Sequence, residues 1–207
     1  MIIISSCSKD DISEVENNNV PTLLDSILYV DIDPDTTLHY TYDTTFDDNG
    51  IELIRGEFTY KIDINNDDIF DFEIAGKKWP GFYHEDGYWK YFDTTYIVGF
   101  HAGSIIYRQP SSCIFCPCDV QPMIDEEIID GNMRWRWVQH GTINYDSNEG
   151  GCYWDYKQGN NYIPIRLRLE NKSYYGWLDI DGAINPIIKS FAINLRPEKP
   201  IQAGQKE

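Results

Sequence analysis

The chain has 207 residues, of which 42% are hydrophobic and 14% aromatic, and its formal net charge is −17. Its six Trp and fifteen Tyr argue against a disordered chain, because disordered segments are poor in aromatic residues. The acidic charge repels phosphate and argues against a nucleic-acid partner, and no stretch after Cys7 approaches the roughly 18 apolar residues of a transmembrane helix.

The first seven residues resemble the end of a bacterial lipoprotein signal. Ile4–Cys7 (Ile-Ser-Ser-Cys) resembles a lipobox, and Ser8–Asp11 (Ser-Lys-Asp-Asp) looks like the acidic export tag of Bacteroidetes surface lipoproteins. This resemblance implies a lipid on Cys7, which anchors the protein to the outer membrane of the cell envelope, exposed at the surface. The alternative is that Cys7 is a free thiol. A signal peptide needs a basic start and roughly 7–15 apolar residues, so we expect the true precursor to begin upstream of Met1.

The rest of the chain divides into a tether and one predicted domain. Residues 8–21 contain few apolar side chains and predict a flexible polar tether. Residues 22–204 are long enough for a single domain. Apolar and polar residues alternate over Phe58–Ile64 and Phe70–Ile74, a pattern that predicts half-buried strands.

Further strands are predicted along the whole domain. The alternation returns over Ile163–Leu169 and Phe191–Leu195, whereas a helical pattern is confined to one turn near Ile124–Ile129. Many short strands with little helix favour an all-β fold, an antiparallel β-sandwich of jelly-roll-like type. The other predicted strands are Ile27–Ile32, Leu38–Tyr42, Tyr96–His101, Ile105–Arg108, Trp135–Ile143 and Tyr174–Asp181.

An Asp-rich loop is the strongest candidate for a metal site. Oxygen-bearing side chains occupy the first, third, fifth and ninth positions of a D-x-N-x-D loop, the spacing that surrounds Ca²⁺ with hard oxygen ligands. Asp68 replaces the usual turn glycine and Ile74 the usual twelfth-position glutamate, so Glu73 or a distant carboxylate would have to complete the shell. Predicted strands flank the loop, so it is no helical EF-hand. The alternative is a polar β-turn that uses Asn and Asp propensity. The predicted ligands are Asp63, Asn65, Asp67, Asp71 and the carbonyl of Ile69.

Aromatic residues are concentrated between Trp79 and Tyr96, where eight occur among eighteen residues beside Gly and acidic side chains. Exposed Trp and Tyr faces beside carboxylates are how proteins stack on sugar rings, so this segment predicts a glycan-binding platform. The alternative is that these rings pack inside the protein. The predicted ligand-binding residues are Trp79, Tyr83, Tyr88, Trp89 and Trp154.

Four further cysteines, an even number, suggest disulfide bonds in an exported protein. Cys116 and Cys118 are too close for an easy bridge to each other, so we expect one of them to pair with Cys152. Free thiols or a structural zinc site are the alternatives, although the spacing lacks paired C-x2-C knuckles. The candidates are Cys113, Cys116, Cys118 and Cys152.

Three motifs together suggest a family. They are the Asp-rich stretch Asp63–Ile74, the late pair Tyr162–Leu167 and Tyr174–Ile180 with its Tyr-Gly-Trp sequence, and Pro200–Gly204 near the end. Together they resemble a loose group of secreted bacterial β-sandwich domains found among anchored surface proteins of unassigned function. The resemblance implies fold and location rather than activity.

The leading hypothesis is a non-enzymatic envelope lipoprotein that binds a ligand such as a glycan or an envelope protein, stabilised by calcium. No catalytic residue is predicted, because neither a G-x-S-x-G nor an H-E-x-x-H motif occurs. A purely structural or interaction protein of the envelope is the second hypothesis. A glycoside hydrolase is the third, and it needs two convergent carboxylates.

Overall fold

The computed structural model describes residues 26–83, 89–100, 105–106, 120, 122–133, 135, 141–147, 161–182 and 185–207. Within these ranges the secondary structure consists of twelve strands and no helix, which confirms the all-β prediction. The strands are β1 (Ile27–Thr37), β2 (Thr41–Phe46), β3 (Glu52–Ile62), β4 (Phe72–Tyr83), β5 (Trp89–Gly99), β6 (Ile105–Ile106), β7 (Ile128–Ile129), β8 (Gly141–Ser147), β9 (Tyr162–Leu169), β10 (Lys172–Asp181), β11 (Ile187–Asn194) and β12 (Ile201–Gln202).

Two five-stranded antiparallel sheets form a sandwich. Sheet I has the order β1-β11-β10-β9-β6, and sheet II has the order β2-β3-β4-β5-β8. Both sheets contribute to one buried apolar cluster, as expected for two amphipathic sheets that face each other. Its members include Phe58, Ile62, Phe72, Ile74 and Ile97 from sheet II and Ile163, Ile165, Leu167, Leu178, Ile180 and Ile193 from sheet I.

The central strands of sheet I, β10 and β11, are buried on both faces. A second apolar cluster, centred on Trp177, lies on the face of sheet I that points away from sheet II. The short β7–β12 pair contributes to it through Ile129 and Ile201. Residues 175–180 of β10 are therefore all buried, and not alternately buried as the period-two pattern of a half-buried strand predicts.

The prediction of a helical turn near Ile124–Ile129 is wrong. Ile128 and Ile129 form β7 and pair with β12, and Glu126 has a φ of 70°, which no α-helix contains. Ile129 is completely buried in the second cluster. Pairing with a distant strand therefore outweighs the weak local helical pattern.

A two-residue turn closes the late hairpin. Glu170 and Asn171 connect β9 to β10 with φ values of 48° and 66°, which is the backbone of a two-residue type I′ turn. Gly176, in the Tyr-Gly-Trp sequence, is required by close packing, because an added Cβ would lie 2.4 Å from the carbonyl oxygen of Ala192 on β11.

Candidate functional site

The inner face of sheet II is the face that packs against sheet I, and it extends beyond the region where the two sheets are in contact. In paired antiparallel strands, opposite residues point to the same face, and every second residue shares that face. Phe58, opposite Gly76, is buried in the core. Two positions before Phe58 in β3, Gly56 lies opposite Tyr42 on one side and Lys78 on the other. Tyr42 is 56% exposed, so one face of the sheet runs from the core into solvent.

This open part of the inner face contains a cleft of about 350 Å³, here named the Tyr42 cleft. Ile54 on its floor is 36% exposed, a large fraction for an isoleucine on a core-facing row. Four neighbouring strands contribute side chains, so the cleft depends on the register of the whole sheet. The lining residues are Tyr42, Thr44, Ile54, Lys78 and Tyr91.

Tyr40 separates the cleft from the core. Its ring meets Phe58 edge-on at 4.9 Å and lies 5.9 Å from the ring of Tyr42, while its hydroxyl donates to the Asp93 carboxylate. Burial, together with this hydrogen bond, raises the pKa of Tyr40 well above its ordinary value, so the hydroxyl remains a donor. Gly56 leaves room for the two tyrosines, because an added Cβ would approach the Tyr42 ring to 2.9 Å.

Pro80 positions Tyr91 at the other end of the cleft. The β3–β4 pairing ends at Gly56 and Lys78, and Pro80, two residues further, has no N–H to continue it. The backbone N–H of Ile54 instead donates to the Tyr91 hydroxyl at 3.3 Å. The interruption of the ladder thus holds the Tyr91 side chain across the sheet.

Of the five residues predicted for the aromatic platform, Trp79 is the one whose side chain the structure describes, and it does not line this cleft. Trp79 lies opposite Phe92 on the other face of sheet II, with their ring centroids 5.8 Å apart, and it is 37% exposed. Tyr83 and Trp89 belong to β4 and β5, but their side chains lie outside the described part of the structure, as do Tyr88 and Trp154. Their role in ligand binding stays a prediction.

The cleft residues Tyr42, Ile54 and Tyr91 were not predicted from sequence. Tyr91 lies within the aromatic segment that the sequence singled out, and Tyr40, Tyr42 and Thr44 alternate along the chain as side chains of one face do. Alternation identifies which residues share a face, but it does not reveal where the opposing sheet ends. That limit determines which aromatic rings stay open to solvent.

The Asp-rich loop is closed by its own hydrogen bonds. Both carboxylate oxygens of Asp63 accept backbone N–H groups, from Asp67 at 3.1 Å and Asp68 at 2.7 Å. Asp67 accepts the N–H of Ile69 at 3.0 Å. Asn66 and Asp68 adopt positive φ values of 59° and 66°, as Asn and Asp do in tight turns.

Asp71 joins this loop to the core. Only 2% of Asp71 is exposed, and its carboxylate accepts the N–H of Ile64 at 3.0 Å. Its backbone bonds to Ile62 on β3 and to Phe100 just after β5. In the described residues no group of three or more His, Cys, Asp or Glu has metal-binding geometry, and the carboxylates already serve the loop backbone, so calcium stays a prediction.

The calcium prediction is tested by thermal melting in CaCl2 and in EDTA. Four carboxylates within nine residues repel one another, so Ca²⁺ bound at this loop is expected to raise the melting temperature. At a concentration 100-fold above Kd the gain is about 2.7 kcal/mol. Asp67→Asn keeps an oxygen acceptor for the Ile69 N–H and is expected to abolish the difference. Equal melting of the unaltered protein in both buffers would contradict the site.

The remaining predicted sites lie outside the described residues. They are the lipid-attachment residue Cys7 and the disulfide candidates Cys113, Cys116, Cys118 and Cys152. The tether over residues 8–21 lies outside them as well. The lipid anchor, the tether and the disulfide pairing therefore stay predictions.

No helix in the described part of the chain is long and apolar enough to cross a bilayer. Comparison of the sequence with known protein families, with curated proteins and with solved structures found no match.

Proposed function

We propose that this protein is a non-enzymatic binding module that holds a saccharide in the Tyr42 cleft. The observation that carries the proposal is the open end of the inner face, where Tyr42 is 56% exposed beside Ile54 and Tyr91. An anchor on Cys7, predicted from sequence, would present this cleft to ligands outside the cell.

The chemistry of the cleft suits a sugar. Each sugar ring has an apolar C–H face that packs on an aromatic ring, and hydroxyl groups that need hydrogen-bond partners at its edge. Tyr42 and Tyr91 supply aromatic surface, while Thr44 and Lys78 supply polar groups. The volume of about 350 Å³ lies within the range of small-ligand pockets, roughly 300–1,000 Å³.

The size of the cleft also favours a saccharide over a folded protein. A stable protein interface buries roughly 800 Å² on each partner, far more than the five residues of this cleft provide. The lining also supports binding over hydrolysis. None of the described residues that line it has the carboxyl group that a glycosidase uses as acid or nucleophile, and Asp93, behind the cleft, accepts the Tyr40 hydroxyl.

The test combines a glycan array with calorimetric titration of the best ligand. Tyr42→Ala is expected to weaken binding at least about tenfold, because an aromatic anchor at the centre of a site carries a large part of the binding energy. It should hardly change stability, since the ring is mostly exposed.

Trp79→Ala is the matched control, because it removes an exposed aromatic ring from the opposite face of the same sheet. Binding within about threefold of the unaltered protein is expected. Loss of binding in Trp79→Ala but not in Tyr42→Ala would move the site to the aromatic segment that the sequence suggested. Absence of binding to any saccharide would leave a structural or interaction role in the envelope.

A further inference from the structure

The charge of the Tyr42 cleft is opposite to that of the chain. The protein carries a net charge of −17, yet Lys78 is the only charged residue among those lining the cleft that the structure describes. Asp43 on β2 and Glu57 on β3 differ by one position from cleft-facing residues, so they point to the other face of sheet II. Glu52, two positions from Ile54, shares the cleft-facing row at the outer end of β3.

Lys78 forms no ion pair with any residue in the described part of the chain. Its ammonium nitrogen lies 6.0 Å from the centroid of the Tyr91 ring. Asp93 is opposite Lys78 in the β4–β5 pairing, but its carboxylate accepts the hydroxyl of Tyr40, at the wall between cleft and core. A cation in a cleft, beside an aromatic ring, therefore has its hydrogen-bond donors available to a ligand.

From this geometry we infer that the ligand of the Tyr42 cleft is an acidic saccharide, in which a carboxylate or sulfate ester accepts hydrogen bonds from Lys78. The inference rests on the proposed function and specifies its ligand class. One ring face packs on Tyr42 or Tyr91, and the anionic group at the ring edge reaches the ammonium. Hydrogen bonds between charged partners are roughly twice as strong as neutral ones, so this contact selects acidic over neutral sugars.

The charge of the ligand distinguishes this inference from general sugar binding. Calorimetric titration compares an oligogalacturonate with its fully methyl-esterified form, which has the same backbone without the charge. The acid is expected to bind about tenfold more tightly, as one charge-assisted hydrogen bond allows. The second pair is dextran sulfate and dextran. A site specific for sulfate distinguishes the members of this pair, and a site specific for carboxylate distinguishes those of the first. Raising NaCl from 50 to 500 mM should weaken only the acidic ligands.

Two variants test the role of Lys78 itself. Lys78→Met keeps a side chain of similar length without the charge, and it is expected to abolish the difference in affinity between the acid and the ester. Lys78→Arg should restore most of the preference. Equal affinities for both members of each pair in the unaltered protein would overturn the inference and leave the proposed function intact. Binding of neither member of either pair, nor of any array glycan, would remove the proposed function itself. If Lys78→Met does not fold, the acid and ester comparison and its salt dependence decide the question.

Discussion

Replacing Trp177 by alanine is expected to lower the free energy of unfolding by about 3–5 kcal/mol, the usual cost of removing a fully buried Trp side chain. Trp177 in β10 is completely buried at the centre of the second cluster, on the face of sheet I that points away from sheet II. Its ring meets Tyr162 edge-on at 4.9 Å and lies 6.1 Å from Tyr29. Urea denaturation followed by circular dichroism measures the change.

Trp177→Phe is the informative control. The indole N–H of Trp177 is buried without a hydrogen-bond partner in the described part of the chain, and an unpaired buried donor costs about 1–3 kcal/mol. Phenylalanine removes this donor and keeps most of the apolar contact, so we expect it to cost only about 1 kcal/mol. A cost below about 1 kcal/mol for Trp177→Ala would show that the second cluster does not contribute to the stability of the sandwich.

The fold class was predictable because period-two alternation is a local property. The sequence predicts strands over Phe58–Ile64 and Phe70–Ile74, and the structure has β3 ending at Ile62 and β4 beginning at Phe72. The apolar residues of both predicted rows that lie in these strands, Phe58, Ile62, Phe72 and Ile74, are in the core. The Glu170–Asn171 turn was predictable for the same reason, since its residue types favour a turn locally.

The second cluster was not predictable from local pattern. Trp177 alternates with Leu178 across the two faces of β10, and a half-buried strand would leave one of these faces in water. The face of Trp177 is covered because Ile129 and Ile201, far apart in the sequence, form the small β7–β12 sheet beside it. Neither two-residue strand has enough residues to show a period.

The cleft depends on tertiary structure in a similar way. The row that contains Tyr42, Gly56 and Lys78 follows the same alternation as the core row of Phe58. The position at which the core ends distinguishes the two rows, and no local pattern encodes it. The double burial of β10 and β11 in sheet I and the open end of sheet II thus have different roles. One face of sheet I adds a second core, and the cleft leaves the end of the inner face of sheet II open to solvent.

Neutralising Asp179 is expected to stabilise the protein at neutral pH. Asp179 lies two residues after Trp177 in β10, so its side chain is on the same face as the second cluster. It is 7% exposed, and its Oδ1 has no hydrogen-bond partner in the described residues. Burial raises the pKa of Asp179 to about 6, against a favourable effect of Lys189 and with smaller contributions from the carboxylates of Asp181, Asp35 and Asp125.

The sign of the pH dependence follows from this upward shift in the pKa. The folded state holds the proton more tightly than the unfolded state, whose pKa is near 3.8. The stability from proton uptake is therefore fully present below about pH 4 and is lost as the pH rises through about 6. At pH 7.5 the ionised carboxylate costs about 2–3 kcal/mol relative to a protonated one.

Asp179→Asn imitates the protonated side chain at every pH, so it is expected to raise the free energy of unfolding by about 2 kcal/mol at pH 7.5 and by much less at pH 4.5. Urea denaturation at the two pH values measures this difference. Asp181→Asn is the matched control, because its carboxylate is half exposed and pairs with Lys189 at 3.1 Å; a change of about 0.5 kcal/mol or less is expected. Destabilisation by Asp179→Asn at pH 7.5 would contradict the raised pKa and would indicate that the ionised carboxylate has a stabilising partner, such as a bound cation. Stabilisation confined to neutral pH would instead identify Asp179 as a buried charge that the fold tolerates at the edge of its second core.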